Sequence, residues 1–115
     1  MTSNIGVLGE QEAARYFVAR GGAILGRNVR YPCGELDLIV QLGGVVVFVE
    51  VKTRSSEDFG AAEAVTVRKF SRMKRAAAAW LEGEPFYREV RFDVVVYRPH
   101  SGEIEHYEGI DRGAR

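Results

Sequence analysis

The chain has 115 residues, enough to bury one core without disulfide or metal staples, so a single domain spanning residues 1–115 is expected. With 46% hydrophobic and 28% charged residues, its composition is that of a globular protein and excludes a disordered or fibrous one. The 16 Lys and Arg balance the 16 Asp and Glu, which excludes a global basic field, so any contact with nucleic acid must come from a local patch.

The one cysteine, Cys33, can form no internal disulfide and reads as a loop or packing thiol, which favours a reducing, cytoplasmic setting. The longest apolar run, residues 45–49, is far below a membrane span. The first 20 residues include Glu10 and Glu12 and hold no continuous apolar stretch of the signal-peptide kind. Neither insertion in a membrane nor export is therefore expected.

In chain order, residues 5–20 put Ala13, Ala14, Phe17 and Val18 at helical spacing, and Gly21-Gly22 ends the pattern. A short β-like run over 23–31 stops at Pro32-Cys33-Gly34, and a second strand covers 35–41. Gly43-Gly44 is a two-residue hairpin signal. After it, residues 45–53 are almost wholly β-branched or aromatic apart from Glu50 and Lys52 and make the strongest strand in the sequence. A polar loop is expected over 54–60. The second helix starts at Thr66, an N-cap residue, and runs to Glu82, where Gly83 and Pro85 end it. Its Val67, Phe70, Met73, Ala77, Trp80 and Leu81 form one stripe, read as core. A strand over 91–97, a turn over 99–102, an edge strand over 103–108 and a frayed tail complete the order α-β-β-β-α-β-β. An α/β architecture with a mixed central sheet flanked by helices is the economical solution.

If Gly43 and Gly44 are the two turn residues, Leu42 pairs with Val45, and the same antiparallel register sets Asp37 opposite Glu50 and Glu35 opposite Lys52. With side chains alternating, these four share one face, while Leu36, Leu38, Val49 and Val51 share the other. Facing carboxylates repel, and Lys52 supplies one compensating charge. A divalent cation between Asp37 and Glu50, magnesium or manganese by the hardness of oxygen donors, would supply the rest. The bland alternative is a solvated sheet face with a Glu-Lys pair. Against it, a Glu-x-Lys inside so apolar a strand breaks local consistency, as functional sites tend to do. Glu10 shares the face of the first helix that carries Ala14 and Phe17. It reads either as a first-turn acid favoured by the helix dipole or as a residue leaning toward the cation site.

Gly34-Glu35-Leu36-Asp37-Leu38-Ile39, then Phe48-Val49-Glu50-Val51-Lys52-Thr53-Arg54, then Arg91-Phe92-Asp93-Val94, together resemble the YraN family. The likeness runs from Gly9-Glu10 and Ala13 through Asn28, Gly60 and Lys69 to His106. That family is similar to archaeal Holliday-junction resolvases within the PD-(D/E)XK endonuclease-like superfamily, so the resemblance implies a restriction-endonuclease-like core. It also implies that Asp37, Glu50 and the Val51 carbonyl hold a metal ion, that Lys52 acts at the water or scissile phosphate, and that Glu10 assists. Leu36 stands where the superfamily's name has proline. Where the family commonly shows Thr-Pro-Arg-Lys-Gln, this chain reads Thr66-Val67-Arg68-Lys69-Phe70.

The function so implied is metal-dependent hydrolysis of phosphodiesters in DNA, in branched or recombination and repair intermediates, with Mg2+ or Mn2+ as cofactor. Lys52 would stabilise developing charge or help deprotonate the water. Arg68, Lys69, Arg72, Lys74 and Arg75 crowd the start of the second helix. They read either as phosphate contacts, extended by Arg54 and by Arg15 and Arg91, or as a solvated helix face. His106 is set outside the site as a structural or exposed histidine. The alternative is a non-catalytic nucleic-acid-binding accessory module on the same fold, with a homodimer or a repair-protein partner as a further role.

Overall fold

A computed structural model describes residues 4–54, 65–84 and 89–112. The expected loop over residues 54–60, apart from Arg54 itself, lies outside them, as do Gly60 and the helix-stopping Pro85. The elements are α1 (Asn4–Ala19), β1 (Ala23–Tyr31), β2 (Gly34–Leu42), β3 (Val45–Thr53), α2 (Val67–Glu82), β4 (Glu89–Arg98) and β5 (Glu103–Tyr107). None of the described helices is long and apolar enough to cross a membrane.

The five strands form one mixed sheet in sequence order, antiparallel except for the β3–β4 pair. That pair is parallel because α2 intervenes and carries the chain back to the starting end of the sheet. The two helices cover opposite faces. Ala13, Ala14 and Phe17 of α1 pack with Leu38, Val40, Val47, Val49 and Val95. Met73, Ala76 and Ala77 of α2 pack with Leu36, Ile39, Val46, Phe48 and Phe92. The odd and even residues of β3 thus go to different helices, and the strand is apolar from Val45 to Val49 because both its faces are covered there.

The helix ends are where local chemistry puts them. At the end of α1 the Gly22 N–H reaches back to the Phe17 carbonyl at 2.8 Å, the six-to-one bond of a Schellman stop. At the start of α2 the Thr66 side chain accepts from the Lys69 N–H at 3.1 Å.

Several expectations need correction. Val18 is 54% exposed and Val67 89% exposed, so neither belongs to the core. The tail after β5 is not frayed over Ile110–Arg112, a 3-10 turn whose Ile110 packs against the α2-side cluster. Leu36, expected on the face of Leu38, packs instead on the α2 side. The cause lies in the pairing. The β2–β3 ladder follows the expected register from Leu42↔Val45 to Leu38↔Val49 and then ends, whereas β2 stays paired with β1 down to Tyr31↔Gly34. Beyond Leu38 the strand follows its twisted outer neighbour alone, and the simple alternation of sides fails there.

Two glycines set the helices at their height. A Cβ on Gly34 would lie 2.7 Å from the Arg72 carbonyl oxygen, so the start of β2 and the backbone of α2 meet directly. A Cβ on Gly9 would lie 2.5 Å from Thr53 Oγ1 and close to the Tyr97 ring, so α1 touches down on the ends of β3 and β4.

Candidate metal and phosphate site

The site lies where β2 parts from β3. Just past the last ladder pair, the Asp37 carboxylate takes the place of a strand partner, its Oδ2 accepting from the Val51 N–H at 2.9 Å. Glu50, on β3, is only 4% exposed, and it faces the α2 side together with Val46 and Phe48 by strand alternation. One oxygen of it, Oε2, lies 3.1 Å from Lys52 Nζ and 2.7 Å from Lys69 Nζ. The two acids and Lys52 of the sequence reading do gather. Glu35 does not: with the ladder ended it has no place opposite Lys52, and it sits exposed, paired with Arg30 at 3.3 Å.

Burial pushes the Asp37 carboxyl from the ordinary 3.8 up to about 7, and the neighbouring Glu50 charge pushes the same way, against the Val51 hydrogen bond. Glu10 adds to the same field from α1, half-buried one residue after the Gly9 touchdown. Burial, with Lys69 as a hydrogen-bonded neighbour, holds the Lys52 ammonium below its ordinary range, although Glu50 pulls it upward. Burial is the largest single influence on Lys69 and lowers it, but its hydrogen bonds to Glu50 and Lys52 and the charges of Glu50 and Asp37 together outweigh it, and the net shift is upward.

Lys69 belongs to this cluster, not only to a basic surface. The resemblance marks Lys69 but not this partnership, because its neighbour Glu50 is reached through the placement of α2. A signal was present all the same. The first turn of α2 holds no acid and begins Val67-Arg68-Lys69, cations at the end where the helix dipole disfavours them.

Arg68 and Arg72 are exposed and, with Glu35, Lys69 and Met73, line a depression of about 190 Å³ beside the carboxylates. Arg75 is exposed one turn further, its Nη1 3.4 Å from Ser71 Oγ, and Lys74 lies over the Phe70 ring. Arg54 follows β3 directly, half-buried, donating from Nη1 to the Thr53 carbonyl at 3.1 Å. Two arginines do not extend this patch. Arg15 pairs with Glu12 and lines a separate depression with Arg27, and Arg91 is held by Asp93 through bonds of 2.9 and 2.8 Å.

The donors that a hard divalent cation would meet are the Asp37 and Glu50 carboxylates and one backbone oxygen. A strand residue's N–H and C=O point the same way, so the Val51 carbonyl faces the side of β2 beyond the last ladder pair, with no β2 backbone opposite it. Among the described residues no three His, Cys, Asp or Glu side chains converge on a common point. The set is therefore sparse in protein ligands, as suits Mg2+, which keeps several of its waters.

Asp93, fully buried on β4, anchors a second cluster that no spacing in the sequence disclosed. It accepts from Arg91 and from the Gly109 N–H and meets His106 Nε2 at 2.7 Å, while His106 Nδ1 lies 2.9 Å from the Tyr16 hydroxyl. His106 thus joins β5 to α1.

A family model described as uncharacterised protein family UPF0102 matches residues 9–97, which include every residue of the carboxylate cluster. The chain belongs to the UPF0102 family. This is the YraN family of the sequence resemblance. A UPF0102 protein of Corynebacterium efficiens is 56% identical over 96% of this chain and 94% of its own length. Similar UPF0102 proteins come from Frankia alni, at 51% identity over 91% of this chain and 92% of its own, and from Symbiobacterium thermophilum, at 48% over 86% of each. The UPF0102 chain thus matches these relatives along nearly their whole length.

Proposed function

We propose that this UPF0102 protein is a metal-dependent endonuclease of the PD-(D/E)XK kind, cutting phosphodiester bonds in DNA, with branched recombination or repair intermediates as its substrate class. The observation that carries the reading is the meeting of Asp37 and Glu50 at the parting of β2 and β3, close enough for one acid's charge to raise the other's pKa. A carboxyl so perturbed, beside a second buried acid and a lysine, is the mark of a site with chemistry to perform.

Asp37, Glu50 and the Val51 carbonyl would hold Mg2+ or Mn2+. When bound, the cation supplies charge neutralisation at the phosphate and a more acidic water. The chain's own groups do the rest. The Val51 N–H fixes the Asp37 carboxylate through Oδ2. Lys52, largely buried and held below its ordinary pKa, is suited to accept a proton from water or to face the charge that develops on the phosphate. Arg68, Arg72 and Arg75, exposed along α2, with Arg54 at the end of β3, would bind flanking phosphates. Glu10 deepens the local negative potential that draws a cation.

The test is to incubate the protein with Mg2+ or Mn2+ and linear, nicked, flapped and four-way-junction DNA, beside Asp37→Asn and Lys52→Ala. Cleavage of at least one substrate, reduced about 10²-fold or more in both variants, is the expected result. A second reading, a binding module without catalysis, draws on one feature: two lysines already balance Glu50. Salt-dependent DNA binding with no cleavage of any substrate, unchanged in Asp37→Asn, would establish that reading and end the first.

A further inference from the structure

Glu50 is balanced by two lysines that differ in what they can do next. Both ammonium groups crowd the same oxygen, Oε2. Lys52 is two residues along the same strand, with a side chain only 17% exposed, so it has little room to leave. Lys69 stands on the first turn of α2, with a side chain 44% exposed and the open depression of Glu35, Arg68 and Arg72 beside it. The turn itself has no acid and the helix dipole opposes positive charge there, so what holds the cation is Glu50, with the charge of Asp37 behind it.

Resting on the nuclease reading above, we propose that Lys69 is a resident stand-in for the divalent cation on Glu50 and is released, once the cation is bound, to a phosphate of the nucleic acid. A doubly charged ion held between Asp37 and Glu50 takes over the attraction that keeps Lys69 in place and repels its ammonium at short range. The free side chain then joins Arg68 and Arg72 on the rim of the depression, where a phosphate is the partner that suits it. Metal loading and nucleic-acid binding are thereby coupled: each favours the state the other needs. The carboxylate pair is also kept from standing uncompensated when no metal is present.

The test compares Mn2+ binding by the wild-type chain and Lys69→Met, measured by calorimetry without DNA. A stand-in competes with the metal, so Lys69→Met should bind Mn2+ more tightly, by roughly three- to fivefold for a partly exposed ion pair. A residue that merely orients Glu50 would act in the other direction, its loss weakening the metal by about 10–100-fold. Unchanged or weaker affinity in Lys69→Met, with wild type binding normally, overturns the stand-in and leaves the nuclease reading intact. No Mn2+ uptake by either protein overturns both. In the unaltered chain, acylation of the Lys69 amine, followed by peptide mass spectrometry, should quicken when Mg2+ is added; an unchanged rate overturns the release.

Discussion

Asp37 and Asp93 show two ways for one sheet to bury a carboxylate. Asp93 is wholly enclosed, yet hydrogen bonds from His106, Arg91 and the Gly109 N–H outweigh the effect of burial and hold its pKa below the ordinary value. Among the described residues Asp37 has one hydrogen bond, from the Val51 backbone, and an acid for a neighbour, and its pKa rises to about 7. A raised carboxyl pKa means that the folded state holds the proton more tightly than the unfolded one. The stabilisation is complete below the unfolded value near 3.8 and is lost as the pH climbs through about 7. In EDTA the wild-type melting temperature should therefore fall between pH 5 and pH 8 relative to Asp37→Asn, which cannot ionise. Parallel melting curves of the two proteins across this range would refute the upward shift.

At the level of elements, the helices are located by what is missing from glycines as much as by what fills the core. Gly34→Ala would drive a methyl into the Arg72 carbonyl, an atom of helix backbone that cannot swing aside. Forced repacking of this sort costs about 1–3 kcal/mol, and the loss should appear as a lower urea midpoint at unchanged slope. Two positions of the α2 stripe should answer very differently to truncation. Met73→Ala, in the buried layer, should cost about 2–5 kcal/mol, and Val67→Ala, at the exposed first turn, should stay within about 0.5 kcal/mol. Equal losses would mean that Val67 is covered after all.

Most of these elements could be read from the sequence because turn chemistry and periodicity agreed. Gly43-Gly44 with flanking β-branched runs sets the hairpin register from Leu42↔Val45 to Leu38↔Val49, which brings Asp37 and Glu50 to the end of the ladder but does not pair them as the sequence reading expects. The reading failed at Glu35 and Leu36 because it extended the ladder past its end. Where β2 stops pairing depends on the Asp37 side chain capturing the Val51 N–H, a tertiary choice that no alternation records. Sequence alone places Lys69 on the basic surface, because its contact with Glu50 exists only once Gly34 has set α2 against the sheet.

Across the whole molecule, the candidate site and the Asp93 cluster divide the work. The first gathers β2, β3 and α2, with Glu10 of α1 close by; the second ties β4, β5 and the segment after it to α1 through His106 and Tyr16. Because the Asp93 pKa is depressed, its contribution is full above about 3.8 and disappears as the pH falls through the lower folded value. Asp93→Asn should cost about 3 kcal/mol at pH 7, and the gap from wild type should narrow on acidification below pH 4, as followed by urea unfolding. A gap that widened in acid would reverse the sign of the shift and remove the network as the reason for the buried charge.

The direct meeting of Gly34 with the Arg72 carbonyl works as a mechanical stop. Helix and strand rest on main chain there, so their separation does not depend on which side chains happen to fill the layer beneath. Phe70, Met73 or Trp80 can be exchanged for other apolar groups, and the spacing between the arginine row and the acidic pair will drift little. The gauge that sets reach over the groove is thus independent of the cushion that sets stability, and a designer can retune one without resetting the other.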